Sequence, residues 1–129
     1  MNNSITSIME KNIITVGLDD TVEYAGELLG SHEFSCMPVV DSEGKCFGVI
    51  SATDFLHFYN AHKKPKAEHA WEVCTHNVIE VSPDVSVKEA SELMVKNKIH
   101  HLVVTENNAI KGIVSSIDII RKGLLNKNI

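Results

Sequence analysis

The chain has 129 residues, 43% of them hydrophobic and 22% charged, with only 7 Gly and 3 Pro. That composition excludes disordered, collagen-like and low-complexity chains and fits an ordinary globular protein with a core of its own. A formal net charge of -5 argues against a nucleic-acid groove, which needs a basic surplus.

No apolar run approaches the roughly 18–20 residues that span a bilayer, so no membrane partner is expected. Met1-Asn2-Asn3-Ser4 has neither the basic start nor the apolar stretch of a signal peptide. Cys36, Cys46 and Cys74 form no C-x-x-C and cannot all pair within one chain. Free thiols and a cytoplasmic location are the expectation.

The most informative feature is internal repetition. A shift of 65 residues lays Asn12 on Asn77, Ile14 on Ile79, Val16 on Val81, Asp19 on Asp84, Val22 on Val87, Ala25 on Ala90 and Glu27-Leu28 on Glu92-Leu93. The register then slips by one, so that Gly48, Ser51 and Asp54 match Gly112, Ser115 and Asp118. A slip confined to a turn is what true repeats tolerate.

Each copy opens with a β-branched run, Ile13 to Val16 and Val78 to Val81, that reads as a strand. A helix follows, capped by Thr21 or Ser86, with an apolar stripe at Val22, Ala25, Leu28, Leu29 and at Val87, Ala90, Leu93, Met94. Ser86-Val87-Lys88-Glu89 fits a capping box, in which Glu89 returns a bond to the cap's own N–H. Two apolar runs then read as hairpins with loops of 4–5 residues, Asp41 to Lys45 and Glu106 to Ala109. Each copy closes on a second helix, roughly Thr53 to Asn60 and Ile117 to Leu124. The fold class is α/β (α+β), with the order β-α-β-β-α written twice. Residues 1–60 form the first repeat, 61–70 a polar linker and 71–129 the second repeat. Lys63-Lys64-Pro65-Lys66 reads as solvated linker surface, and Trp71, just past it, as a packing anchor.

The chemistry concentrates where the third strand of each copy meets the second helix. There a serine, Ser51 or Ser115, stands three residues before an acid, Asp54 or Asp118. Amides at a helix start make an anion seat, which the serine hydroxyl can join, while the acid can accept from ribose hydroxyls. The same spacing also describes a plain helix cap with a favourable first-turn acid. Both readings stand at this point. His32, His57, His62, His69 and His76 show no ligand spacing, so no metal is expected. No Ser-His-Asp order, phosphate-binding G-x-x-x-x-G-K loop or defensible pair of catalytic carboxylates is present, so no enzyme activity is expected.

Taken in order, these segments resemble the tandem cystathionine-β-synthase (CBS) domain pair, or Bateman module. The first copy carries Met9-Glu10-Lys11-Asn12-Ile13-Ile14-Thr15-Val16, Met37-Pro38-Val39-Val40-Asp41 and Gly48-Val49-Ile50-Ser51-Ala52-Thr53-Asp54. The second carries Asn77-Val78-Ile79-Glu80-Val81-Ser82-Pro83-Asp84, His100-His101-Leu102-Val103-Val104 and Gly112-Ile113-Val114-Ser115-Ser116-Ile117-Asp118. The resemblance spans about residues 5 to 124.

It implies two repeats about a pseudo-twofold axis and a regulatory module with no catalytic cofactor. The expected ligand is adenosine-containing (AMP, ADP, ATP or S-adenosylmethionine), held in clefts between the repeats, and the expected partners are a second copy in a homodimer and an unidentified regulated protein. The first cleft would draw on Ile14, Thr15, Val16, Cys36, Met37, Pro38, His100, His101, Ser115, Ser116 and Asp118. The second would draw on Ile79, Glu80, Val81, His101, Leu102, Val103, Ser51, Thr53 and Asp54. His100 and His101 stand where relatives often carry basic residues that reach phosphates, and they would do so only when protonated. Glu80 replaces Thr15, where an acid either disfavours phosphate or takes a ribose or amine. Val103 stands in place of Pro38. The competing expectation is a ligand-independent dimerisation scaffold with side chains filling both clefts.

Overall fold

Each half of the chain builds the same small sheet. The computed structural model describes residues 3–32, 34–61 and 64–125. Met1, Asn2, His62 and Lys63, considered above, lie outside the described residues. Strand β1 (Val16–Gly17) runs parallel to β2 (Cys36–Val40), which pairs antiparallel with β3 (Cys46–Ser51). The second half repeats this with β4 (Glu80–Val81), β5 (His101–Glu106) and β6 (Ala109–Ser115). Val16 faces Val39 as Val81 faces Val104, and both ladders slip at the same place, between Val39 and Val40 and between Val104 and Thr105. The fold is therefore mixed α/β with two three-stranded sheets.

The leading helices α1 (Val22–His32) and α4 (Val87–Asn97) follow the sequence pattern closely. The Thr21 hydroxyl accepts from the Tyr24 N–H at 3.1 Å, and the Ser86 hydroxyl from the Glu89 N–H at 3.0 Å. The Glu89 carboxylate accepts from the Ser86 hydroxyl, at 3.1 Å, rather than from the Ser86 N–H. Val22, Ala25, Leu29 and Val87, Ala90, Met94 are buried, as the stripe requires. The closing helices are α2 (Ala52–Asn60) and α5 (Ser116–Asp118), the latter running on as a π-helix over Ile119–Leu124.

Three details depart from the sequence expectation. A single helical turn, α3 (Ala70–Val73), follows the linker; its Ala70 is buried while Trp71 is 43% exposed, so the indole is no packing anchor. The second hairpin turns in two residues rather than four. Asn107 and Asn108 both adopt positive φ (53° and 65°), the twist that a two-residue hairpin needs, and Glu106 faces Ala109 directly. Of each leading β-branched run, only the last one or two residues enter a ladder.

The compact units cut the chain differently from the repeats seen in sequence. One unit is Ile14–Val78; the other joins the segment up to Ile13 to the chain from Ile79 onward. In the second unit the Ile5 N–H donates to the Val85 carbonyl at 2.8 Å, and Glu10 exchanges backbone hydrogen bonds with Ile113 at 2.8 and 3.0 Å. In the first, Ala70 N–H donates to Asp20 and Thr75 exchanges bonds with Val49, the same contacts one repeat away. Ile5, Ile8 and Met9 thus join the core of Val81, Val87, Leu102, Val104 and Val114. Ala70 and Cys74 join that of Val16, Ala25, Met37, Val39 and Ile50.

Two glycines permit this docking. A Cβ on Gly112 would lie 2.8 Å from the Glu10 carbonyl oxygen, and one on Gly48 would lie 2.6 Å from that of Thr75. Any side chain would push the docked backbone off the third strand. No helix among the described residues is long and apolar enough to cross a membrane.

Because Ile5 is fully buried, Ile5→Ala should cost about 2–5 kcal/mol. Gly112→Ala, which overpacks rather than empties, should cost about 1–3 kcal/mol. Urea unfolding followed by circular dichroism measures both, and Glu106→Ala in the exposed hairpin serves as the neutral comparison.

Candidate functional site

In each unit the third strand ends on a serine that caps the following helix. The Ser51 hydroxyl accepts from the Asp54 N–H at 3.1 Å, and Asp54 Oδ2 accepts from the Ser51 N–H at 2.9 Å and from its hydroxyl at 3.0 Å. Ser115 and Asp118 repeat the reciprocal pair at 3.1 and 3.0 Å. Further helix-start amides are also engaged. The Ala52 N–H donates to the Ser35 carbonyl at 3.0 Å and the Ser116 N–H to the His100 carbonyl at 2.8 Å. The anion seat read from sequence is therefore narrower than expected, since strand and cap consume most of its donors. Thr53 and Ile117 carry the remaining first-turn amides.

The two acids differ in what else they hold. The Thr75 hydroxyl donates to Asp54, 3.0 Å from Oδ1 and 3.2 Å from Oδ2, so both oxygens are engaged. At the equivalent place in the other unit stands Glu10, whose carboxylate accepts instead from the Asn12 N–H at 2.8 Å. Asp118 Oδ1 faces the Lys122 ammonium at 4.0 Å, which also donates to the Ile8 carbonyl at 3.3 Å. The place of Lys122 is taken by the buried Phe58 in the first repeat. Among the described residues, the Lys122 ammonium pairs with Asp118 and no ion pair involves Asp54.

The remaining expected residues fall on the strands beside these junctions. Cys36, Met37 and Pro38 are buried in β2, with Cys36 facing Ser51 across the ladder. His101 is half-buried and faces Ser115; His100 is exposed, and its carbonyl is the acceptor named above. Leu102 and Val103 are buried. Ile14 and Ile79 are half-buried, Val16 and Val81 buried, and Thr15, Glu80 and Thr53 exposed. The exchange of Pro38 for Val103 has a backbone consequence. The Val103 N–H donates to the Ile79 carbonyl at 3.1 Å, whereas Pro38 has no N–H to offer Ile14.

Sequence reading missed Thr75 and Lys122. Lys122 lies four residues past Asp118, a spacing that puts both on one helix face. Thr75 carried no local signal, because it meets Asp54 only through the docking of its segment on β3.

Asp54 also borders a cavity of about 320 Å³ inside its unit, lined with His57, Phe58, Glu68, Glu72 and Val73. Glu72 lies below the usual carboxylate range through hydrogen bonding with Glu68 and with His69. Such an acid-rich lining repels phosphate. Among the described residues, no group of His, Cys, Asp and Glu could hold a metal ion. Burial, with the Asp54 charge second, pushes the Cys36 thiol up to about 12 and the Cys74 thiol up to about 11.

The CBS domain family model matches residues 5–61 and 70–124, and the chain belongs to that family. The inosine-5'-monophosphate dehydrogenase of Methanocaldococcus jannaschii is 34% identical over 116 residues, covering 89% of this chain but 22% of the dehydrogenase. The chain spans about a fifth of the first curated relatives it matches, so the likeness to the dehydrogenases concerns a small part of each. The CBS domain-containing protein YhcV of Bacillus subtilis is 25% identical over 125 residues, with 97% of this chain and 89% of that protein covered. Among solved structures, the CBS domain pair of protein MJ0100 superposes with a TM-score of 0.87 at 28% identity, covering 98% of this chain and 100% of that one. That pair was crystallised with 5'-methylthioadenosine and S-adenosyl-L-methionine.

The raised thiols make the fold sensitive to alkali. Unfolded, both cysteines ionise near 8.5; folded, they keep their protons to about 12 and 11, so the stability they carry is whole below pH 8.5 and is lost as pH rises beyond it. Thermal midpoints should fall between pH 9 and 11, and Cys36→Val with Cys74→Val should flatten the decline. A decline equally steep in the double variant would refute the assignment.

Proposed function

We propose that this chain is a regulatory module that binds an adenosine-containing ligand and passes its occupancy to a partner protein. The observation that carries the reading is the duplicated junction, a serine cap and a first-turn acid at the end of the third strand in both units. The relative MJ0100, a CBS domain pair crystallised with two such ligands, supports it. In this reading the ribose hydroxyls donate to Asp54 or Asp118. Lys122, Ser115 and the Ile117 amide meet phosphate or another anionic group, with His100 and His101 adding charge when protonated. The ligand acts through its differential affinity for two states of the module, and no group on the chain is assigned a catalytic step.

A thermal-shift series with AMP, ADP, ATP, NAD and S-adenosylmethionine tests this. Ligand at 100 times its Kd should add about 2.7 kcal/mol to stability. One observation favours the competing scaffold reading: both serine–acid pairs are already satisfied within the chain. A flat response to every compound would decide for the scaffold.

The same reading holds that the module works as a cytoplasmic homodimer. Cys36, Cys46 and Cys74 form no disulfide with one another, which suits a reducing compartment. Leu56 on α2 is 63% exposed and its repeat equivalent Ile120 is 44% exposed, apolar surface that a second copy would cover. Native mass spectrometry should report a dimer, and Leu56→Glu with Ile120→Glu should leave a folded monomer.

A further inference from the structure

The two closing helices are built at equivalent places and yet wind differently. Aligned on Asp54 and Asp118, Phe55 matches Ile119, Phe58 matches Lys122, Tyr59 matches Gly123 and Ala61 matches Leu125. At the end of α2 the Ala61 N–H donates to the His57 carbonyl, four residues back, at 3.1 Å. In the π-helix the Leu125 N–H reaches the Ile120 carbonyl, five residues back, at 2.9 Å. The buried positions shift with the winding. Phe58 is buried and Tyr59 exposed, whereas at the matching places the Lys122 side chain is 42% exposed and Gly123 is buried. The wider turn passes over Lys122 and brings Gly123 inward in its place.

We propose that the charge of Lys122 sets the register of the closing helix in its unit, and that removing this charge returns the helix to the α register of α2. In an α register Lys122 would take the buried place that Phe58 holds in the first repeat. An ammonium is costly to desolvate there without a full set of partners. The π turn avoids that burial. It leaves the ammonium partly in solvent, 3.3 Å from the Ile8 carbonyl oxygen and 4.0 Å from Asp118 Oδ1. Gly123, with no side chain to accommodate, fills the inward position. A π turn spans one residue more than an α turn, so relaxing it rotates Leu124 and Leu125 by about 100° around the helix axis relative to Ile117. Leu124 and Leu125 are both exposed, so the rotation re-aims an apolar surface. Lys122 is thus a positioning residue and the helix a charge-sensitive switch, whichever ligand the module takes.

NMR couplings across hydrogen bonds, measured on the isotope-labelled full chain, test this because they identify the carbonyl that each amide uses. The unmodified chain should couple the Leu125 amide to the Ile120 carbonyl. Lys122→Arg, which keeps the charge, should preserve that coupling. Lys122→Met and Lys122→Phe, which remove the charge, should lose it and gain a coupling from Leu125 to the Arg121 carbonyl. The proposal is overturned if the unmodified chain or Lys122→Arg couples Leu125 to Arg121, or if a folded Met or Phe variant keeps the Ile120 coupling. Loss of the fold in both apolar variants, beside a folded Lys122→Arg, would overturn it too, since Lys122 would then support the fold rather than choose its register.

Discussion

The structure turns on two places where a main chain lies directly against a strand with no side chain between them. At Gly112 the Glu10 backbone comes within 2.8 Å of where a Cβ would sit, and at Gly48 the Thr75 backbone comes within 2.6 Å. The hydrogen bonds exchanged there hold each leading segment on its sheet, and the segment brings its apolar residues with it. Ile5 and Ile8 complete one core, and Ala70 and Cys74 the other. Without that close approach each sheet would have an open edge and an incomplete face.

The same docking sets the chemistry at the two junctions. It carries the Thr75 hydroxyl onto Asp54, and it places the Ile8 carbonyl where the Lys122 ammonium is held near Asp118. Equivalent acids thus meet different groups, the Thr75 hydroxyl at Asp54 and the Lys122 ammonium at Asp118.

Much of this could be read from the residues. Repetition at 65 residues located both sheets, both capped helices and the serine–acid pairs, because these depend on local spacing and on periodicity. What escaped depends on contacts far apart in the chain. Thr75 lies 21 residues from Asp54 in sequence, and Lys122 lies 114 residues from Ile8. The exchange of leading segments between the sequence repeats was hidden for the same reason, since a repeat boundary in sequence says nothing about which sheet a segment joins. The helix-start amides looked available because a sequence shows the donors and conceals the acceptors. Ser35 and His100 supply those through their carbonyls, which every residue type possesses.

The exchange also has a consequence for the order of events during synthesis. The unit Ile14–Val78 has all its parts once residue 78 has emerged from the ribosome. Ile5, Ile8 and Met9 emerge before that unit does, yet the strands and helix that cover them begin only after Ile79. At about 5–20 residues per second, those three apolar side chains wait several seconds for their partners. Residues made early in this stretch are thus buried late, once the strands and helix beyond Ile79 have formed.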